Sequence, residues 1–272
     1  METPELISLK KAWGYIPQKN FFKDFIFKII GNPHPYGRLR AISVLSFLDL
    51  SKKKILDAGC GRGVFSRELK KRDFDITGID VDQEAIDYCK KSMDKTNEHY
   101  SVFKENIMEL QSIEDQTYDQ IIATDVIEHV EDPKKAVESL YRVLKKGGKL
   151  ILTVPTPKYL YDAIIPVDFS KHLEEIGHLS KGWFKEDGTT FLENCGFKII
   201  NSHYYGFFPV RFFTEILYFL AGVKGIKKTR SQMYDVKLFP MLVYFILIPV
   251  LFMEKFFSKE KKGAFIIFDL EK

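Results

Sequence analysis

Residues 54–63, with the sequence KILDAGCGRG, constrain the fold of this chain more than any other stretch. A short apolar run at Ile55 and Leu56 leads into the acid Asp57, and three alternate glycines follow. This pattern is typical of a buried parallel strand that turns sharply into a helix. Because glycine has no Cβ, a ligand can approach the backbone N–H groups of such a turn, and the next helix presents its positive end there. The stretch is therefore a candidate ligand-binding turn.

A second acid, Asp80, ends the next apolar run, about 20 residues beyond the glycine turn. A carboxylate at this position can accept hydrogen bonds from both hydroxyls of a ribose, which indicates a nucleoside ligand. The turn departs from the dinucleotide fingerprint GxGxxG because Val64 occupies the place of the last glycine. A ligand other than NAD is favoured, with a purely structural turn in an unrelated α/β protein as the alternative.

From residue 54 onward, apolar runs typical of strands alternate with helical patterns. Strands are predicted near 54–58, 75–80, 99–104, 118–124 and 148–154, and later at 197–204 and 264–270. Helices are predicted near 36–48, 63–72, 83–95, 132–145 and 184–195. Asp132 and Pro133 should begin the fourth of these helices, and the run 145–148 (KKGG) should end it. The alternation predicts an α/β fold with a mostly parallel sheet and helices on both faces.

Four polar residues follow the predicted parallel strands: Asp57, Asp80, Asn106 and Asp125. Because the carboxyl ends of parallel strands meet at one edge of the sheet, we expect these side chains to converge on one crevice. The carboxylate of Asp57 either balances a ligand cation or accepts hydrogen bonds from the turn itself.

Residues beside these acids are expected to enclose a nucleobase. Val81 would lie against one face of the ring and Ile107 against the other, whereas Asp82 would cap the next helix. Asn106 either accepts a hydrogen bond from an adenine amino group or caps a turn.

Histidines supply the candidate catalytic groups. His129 lies in TDVIEHV, residues 124–130, directly after the fourth strand, where it either acts as a general base or has a structural role. His172 and His178 lie in a polar loop after the fifth strand, where either could face a second substrate. None of these residues has a recognised metal-ligand spacing, so the sequence predicts no metal site.

Five motifs together resemble the class I S-adenosylmethionine-dependent methyltransferases, specifically the small-molecule group that includes quinone-pathway O-methyltransferases. The motifs are ILDAGCGRG, TGIDVD, YDQIIATDVIEHVEDP, LKKGGKLILTVPTP and FLENCGFKI. The resemblance implies a Rossmann-like seven-stranded sheet with an antiparallel last strand, S-adenosylmethionine as cofactor and an acceptor near His129. The expected cofactor-binding residues are Asp57, Gly59, Cys60, Gly61, Asp80, Val81, Asn106, Ile107 and Thr124.

Composition limits the partners and the compartment. A net charge of +4 with scattered lysines argues against nucleic acid and fits an anionic membrane surface slightly better. The three cysteines have no paired spacing, and the N-terminus lacks a basic region followed by an apolar core. We therefore expect a protein of the reducing cytoplasm, with the inner membrane face as a further location.

The predicted domain organisation has three parts: residues 1–50 as a helical lead-in or lid, residues 51–206 with 263–272 as the methyltransferase domain, and residues 207–262 as an apolar helical insertion. Residues 238–253 of the insertion carry no charge, but they contain two prolines and fall short of the roughly 20 apolar residues of a spanning helix. The lysines that flank this segment are typical of a helical hairpin on the membrane surface. The alternative is a helical cap that packs its apolar faces over the acceptor.

The expected function is methylation of an oxygen on an apolar or lipid-like small acceptor. Two alternatives remain open at this point. One is methylation of a sugar or a lipid-linked glycan, and the other is a membrane-associated scaffold that binds S-adenosylmethionine without turnover.

Overall fold

The computed structural model describes residues 35–157, 177–207 and 263–272, together with Phe21 and Phe25. The strands are β1 (Lys54–Ala58), β2 (Asp75–Asp80), β3 (Ser101–Lys104), β4 (Tyr118–Thr124), β5 (Leu144–Pro155), β6 (Lys198–Tyr205) and β7 (Phe265–Glu271). The helices are α1 (Pro35–Phe47), α2 (Val64–Lys70), α3 (Gln83–Thr96), α4 (Pro133–Val143) and α5 (Lys185–Asn194), with a short 3-10 helix at Ile127–His129.

All seven strands form one sheet in the order β3-β2-β1-β4-β5-β7-β6. The strands from β3 to β5 are parallel, whereas β7 lies antiparallel to both β5 and β6. This arrangement confirms the predicted Rossmann-like sheet with an antiparallel last strand. The strand order reverses between β1 and β4, and in such folds the ligand crevice lies outside the carboxyl ends of the strands at that point.

Side chains on the two faces of the sheet contribute to separate cores. Leu56 and Ile121 pack with α4 and α5 on one face, and the adjacent Ile55 and Ile122 pack with α1 and α2 on the other. These residues are fully buried. Each such side chain contributes roughly 1.5–3 kcal/mol to stability. The near-continuous apolar strands therefore require helices on both faces, as the sequence predicts.

Two helix starts form as predicted. The carboxylate of Asp82 accepts a hydrogen bond from the backbone N–H of Glu84 at 2.9 Å, and it caps α3. Asp132 accepts one from the N–H of Lys135 at 3.0 Å and caps α4, with Pro133 in the first turn. Side-chain caps of this kind satisfy N–H groups that have no partner within the helix.

The predicted end of the helix at 132–145 is wrong. Helix α4 ends at Val143, and β5 begins at Leu144 because Leu144 pairs with Tyr118 of β4. Lys145 also forms an ion pair with Asp119 at 2.6 Å. Contacts with the neighbouring strand thus override the local end signal, and the glycines at 147 and 148 fall where the pairing shifts register between Tyr118 and Gln120.

Parts of the sequence predictions lie outside the described residues. These are the apolar stretch 21–30 apart from Phe21 and Phe25, the loop that carries His172, and the insertion beyond Phe207. Among the helices that the structure describes, no helix has the length and apolar character needed to cross a membrane.

Candidate cofactor-binding site

A cavity of about 270 Å³ lies at the carboxyl ends of the central strands. Six of the predicted site residues line it: Gly59, Asp80, Val81, Asn106, Ile107 and His129. They come from four separate parts of the chain, and the parallel pairing of β1 with β2 and β4 brings them together. The volume is close to the lower end of the range for small-molecule sites, roughly 300 Å³.

Asp80 lies at the end of β2 and joins the glycine turn to the next loop. Its Oδ2 accepts a hydrogen bond from the N–H of Gly61 at 2.9 Å, and its Oδ1 accepts one from the N–H of Asp82 at 2.9 Å. The residue is only 8% exposed and lines the cavity. Since each carboxylate oxygen has a second lone pair, Asp80 can still accept hydrogen bonds from a ligand diol.

The glycine turn runs close to the neighbouring segments. The N–H groups of Gly59 and Cys60 both donate to the carbonyl of Ile79 at 2.9 Å. Gly59 has a φ of +76°, and a Cβ there would lie 2.6 Å from Cγ2 of Val126. The turn therefore requires glycine at this position for its conformation and for space.

Asp57 points away from the cavity and into the start of α2. Its Oδ2 accepts hydrogen bonds from the N–H of Ser66 at 3.1 Å and from the Ser66 hydroxyl at 2.5 Å. Burial raises the pKa of Asp57 to about 6, although the hydrogen bonds from Ser66 act in the opposite direction. The carboxylate thus accepts local hydrogen bonds, which is one of the two roles predicted for it from the sequence; the other was to balance a ligand cation.

Three predicted residues lie beside the cavity without lining it. Cys60 is buried, and its thiol lies 3.7 Å from the carbonyl oxygen of Gly61. Hydrogen bonding with Cys89, together with burial, raises the pKa of the Cys60 thiol. Thr124 ends β4 and pairs in register with Thr153. Gly61 contacts the cavity-lining Asp80 through its N–H, whereas Thr124 and Cys60 do not line the cavity.

Asn106 shares the cavity wall with an acid that the sequence analysis did not single out. Oδ1 of Asn106 accepts a hydrogen bond from the N–H of Met108 at 3.0 Å, as expected of a turn cap. Glu105 accepts hydrogen bonds from the N–H of Asn106 at 2.9 Å and from the N–H and hydroxyl of Ser112. Partial burial acts to raise the pKa of Glu105, but these hydrogen bonds outweigh it and lower the pKa. Glu105 is therefore ionised at neutral pH.

His129 is held by a backbone carbonyl from the segment after β5. Its Nδ1 lies 2.8 Å from the carbonyl oxygen of Gly177. A carbonyl only accepts hydrogen bonds, so Nδ1 carries the proton and Nε2 carries the lone pair in the neutral ring. Nε2 lies 4.0 Å from Oε1 of the buried Glu128. The ring therefore has a fixed orientation and one basic nitrogen.

Asp125 does not join the crevice, contrary to the expected convergence of four polar residues. It has a φ of +50°, and its N–H donates to the carbonyl of Thr153 at 3.1 Å. Its Oδ1 accepts a hydrogen bond from the Thr153 hydroxyl at 2.7 Å, and its Oδ2 pairs with Arg40 at 2.5 Å. Both oxygens are engaged on the side of the sheet that carries α1.

Comparison with known proteins relates the central part of this arrangement to a known family. Residues 56–152, which run from β1 into β5, match the family model of the methyltransferase domain. The chain contains a methyltransferase domain. S-adenosylmethionine-dependent methyltransferases are among the solved structures that share this fold.

Two curated relatives are similar to this chain in sequence, and one solved structure is similar to it in fold. Ubiquinone biosynthesis O-methyltransferase of Nitrosomonas europaea is 31% identical over 123 residues, which cover 44% of this chain and 52% of the relative. The protein of the same name from Saccharophagus degradans is 24% identical over 187 residues, 63% of this chain and 78% of the relative. A methyltransferase structure from Archaeoglobus fulgidus has a TM-score of 0.56 at 18% identity and covers 93% of this chain and 100% of that one. This chain thus spans about half the length of the first relative.

The cavity of the methyltransferase domain fits the nucleoside part of S-adenosylmethionine. A carboxylate at the end of β2 suits the ribose hydroxyls, and the apolar side chains of Val81 and Ile107 suit the base. The missing side chain at Gly59 leaves the backbone accessible along the same wall. Each of these features is a property of residues in the described part of the chain.

Further residues of the methyltransferase domain line the cavity without having been predicted. They are Glu105, Met108, Val126, Val130, Glu131, Leu179 and Ile79. Val126 and Val130 belong to the TDVIEHV stretch, so their position directly after a strand could have been used to predict that they line the cavity. Leu179 had no such signal, because it reaches the site through a hydrogen bond from its N–H to the carbonyl of Glu128 at 2.8 Å.

His178 lies against His129, and Glu128 joins them. The two rings are in edge contact with centroids 4.5 Å apart, and the ligand atoms of the three residues lie within 4.8 Å of one another. Two imidazoles and a carboxylate are a ligand set with which proteins can hold a metal ion. No sequence pattern indicates this cluster, because His178 comes from beyond β5 and reaches the other two residues only through the fold. His172 lies outside the described residues.

Proposed function

We propose that this protein transfers the methyl group of S-adenosylmethionine to an oxygen atom of an apolar small acceptor. The observation that supports the proposal is the shared cavity, which is lined by Asp80, the proposed cofactor-binding carboxylate, and by His129, the proposed base. The O-methyltransferase names of the relatives favour oxygen as the methylated atom.

The residues proposed to hold the cofactor are those that line this cavity. Asp80 would accept hydrogen bonds from the ribose hydroxyls, with Val81 and Ile107 on the two faces of the adenine. Asp57 lies on the neighbouring strand β1, and the charge of Asp80 acts to raise its pKa. Asp57 would therefore interact with the cofactor ammonium electrostatically at a distance or through a bridging water. When bound, the cofactor supplies a methyl group on a sulfonium, which is already a good leaving group.

His129 is proposed to accept the proton of the acceptor hydroxyl. The carbonyl of Gly177 fixes the proton on Nδ1, so Nε2 is the nitrogen that can take a further proton. The rest of the rate enhancement would come from holding the cofactor and the acceptor in position, because in-line transfer requires the acceptor oxygen, the methyl carbon and the sulfur to be aligned.

The acceptor is proposed to lie under the segments that leave the sheet beside the cavity. Pro155 and Tyr205 both pair with Phe265, so the chain leaves β5 and β6 and enters β7 at one edge. The insertion at 207–262 begins and ends there and is rich in apolar residues. We propose that it covers the acceptor as a cap or lies on an anionic membrane surface as a hairpin, and that residues 1–50 form a lead-in to the domain.

The acceptor proposal is tested with labelled S-adenosylmethionine and two extracts of cells, one lipid and one aqueous. Label that moves into the lipid fraction supports an apolar acceptor. Label only in the aqueous fraction would contradict the apolar acceptor and favour a sugar, and label in neither would favour a binding protein without turnover. Label released from the lipid product by mild glycosidic cleavage would identify a lipid-linked glycan.

The membrane proposal needs a separate measurement. The full-length protein is sedimented with vesicles of phosphatidylcholine alone and with vesicles that also contain phosphatidylglycerol. We expect binding to the anionic vesicles that weakens as salt is raised, since the flanking lysines supply the attraction. Equal sedimentation with both compositions would contradict docking through these lysines.

A further inference from the structure

The ion pair between Arg40 and Asp125 joins helix α1 to the turn that carries His129. Arg40 lies on α1, Asp125 follows β4, and the two side chains approach to 2.5 Å with exposures of 21% and 17%. A pair that is mostly withdrawn from water is screened less than one on the surface. The pair connects α1 to the turn that leads to Val126, a residue that lines the cavity.

Asp125 holds a backbone conformation that few residues other than glycine adopt. Its φ of +50° lies in the left-handed region, where aspartate is tolerated when local contacts support it. Thr153 supplies two of these contacts, one to the N–H and one to Oδ1, and Arg40 supplies the third at Oδ2. Removing the guanidinium would leave the carboxylate with a single side-chain partner among these contacts.

The conformation of Asp125 determines where the following residues lie. Val126 comes next in the chain and packs against Gly59 of the glycine turn. Its carbonyl accepts the hydrogen bond from the N–H of His129 at 3.1 Å. A change of backbone angle at Asp125 would therefore displace both a wall residue of the cavity and the candidate base.

On the side of β6, the buried side chain of Tyr205 lies beside the pair. Tyr205 is 3% exposed and stacks on Phe265 with centroids 5.3 Å apart. Burial raises the pKa of Tyr205 well above its usual range, with Asp125 adding to the effect, so the phenol stays neutral beside the pair.

We propose that Arg40 and Asp125 are positioning residues for methyl transfer, which hold the turn at residues 125–129 so that His129 faces the reacting groups. The claim about transfer rests on the proposed function, and the claim about the orientation of His129 does not. Helix α1 is then a part of the active site rather than only a cover for the sheet.

The chain offers a matched control in the ion pair between Lys149 and Asp269. It also involves α1, since Lys149 donates to the carbonyl of Phe47 at 3.3 Å, and its exposures are 23% and 5%. Lys149 pairs with Gln120 of β4, far from the carboxyl ends of the strands. Lys149→Gln therefore removes a similar pair without touching the turn.

Two readouts test the proposal in Arg40→Gln, Arg40→Lys and Lys149→Gln. The first is the imidazole resonance of His129 by NMR, assigned as the signal absent from His129→Gln. The second is label transfer into the lipid extract at saturating S-adenosylmethionine, beside the dissociation constant of that cofactor. We expect Arg40→Gln to shift the His129 resonance and to slow transfer by about 100-fold. Cofactor affinity should stay within about threefold, and Arg40→Lys should restore most of the rate because it keeps the charge.

An unchanged His129 resonance in Arg40→Gln would overturn the proposal, and so would an equal loss of rate in Lys149→Gln. If Arg40→Gln does not fold, Asp125→Asn breaks the same ion pair from its other side and is judged by the same outcomes. If the wild-type protein transfers no label at all, the proposed function fails, while the resonance of His129 still decides whether the pair positions it.

Discussion

Gly59 and Val126 touch so closely that a single added methyl group would not fit between them. A Cβ on Gly59 would lie 2.6 Å from Cγ2 of Val126, a separation that side chains do not adopt without movement. The contact joins the turn after β1 to the turn after β4, and both turns line the candidate cofactor-binding cavity. The shape of the cavity wall thus depends on the absence of one side chain.

Gly59→Ala should weaken cofactor binding and destabilise the domain by about 3 kcal/mol, since it combines a strained φ with overpacking. Gly147→Ala is the matched control, because Gly147 has a φ of +66° and an added Cβ would meet nothing within 4 Å. That variant should lose only about 1 kcal/mol and bind the cofactor normally. Chemical denaturation and calorimetry measure the two quantities, and equal losses in both variants would contradict a role for the contact with Val126.

Asp57 should make stability depend on pH in an unusual direction. Its pKa is about 6 in the folded protein and 3.8 in the reference state, so its contribution is full below about pH 3.8 and is lost as the pH rises through 6. Asp57→Asn has no such loss. The free energy of unfolding of this variant, relative to wild type, should therefore rise by about 2 kcal/mol between pH 4.5 and pH 7.5.

Asp119→Asn controls for the general effect of pH in that experiment. Hydrogen bonding with Lys145 lowers the pKa of Asp119, so its charge is constant over the same interval in both states. The difference between Asp119→Asn and wild type should stay flat from pH 4.5 to pH 7.5. A flat difference for Asp57→Asn as well would show that Asp57 is not held at a raised pKa.

His129→Gln should slow methyl transfer by about 10²- to 10⁴-fold if the imidazole accepts the proton of the acceptor. Glutamine preserves much of the volume, so cofactor affinity should change little. His99→Gln is the control, because His99 is exposed and lies outside the cavity. Transfer rates at saturating cofactor decide the matter, and a His129→Gln enzyme as fast as wild type would show that no base is needed at this position.

Local sequence patterns predicted the strands and the helices around them, because each element is long enough to show an apolar run or a helical periodicity. The caps at Asp82 and Asp132 followed from the same local logic. The predicted helix end near Lys145 failed since Leu144 gains a strand partner in Tyr118, a contact that no local window contains.

The site was predictable where it follows strand ends and not where it depends on side-chain direction. Asp80 and Asn106 line the cavity as expected, whereas Asp57 turns to Ser66 and Asp125 turns to Arg40. The cluster of His129 with His178 and Glu128 forms only because the segment after β5 returns to the cavity. These side-chain directions and contacts depend on which distant parts of the chain meet in the fold, and local sequence patterns do not show that.

The most direct test of the account is the affinity of the full-length protein for S-adenosylmethionine in Asp80→Ala. We expect calorimetry to show a loss of about 1.5 to 3 kcal/mol, because the carboxylate holds both the glycine turn and the ribose. Asp82→Ala, which removes only the cap of α3, should lose about 1 kcal/mol of stability and keep wild-type affinity. An Asp80→Ala protein that binds the cofactor as tightly as wild type would contradict the assignment of this cavity as the methyl-donor site.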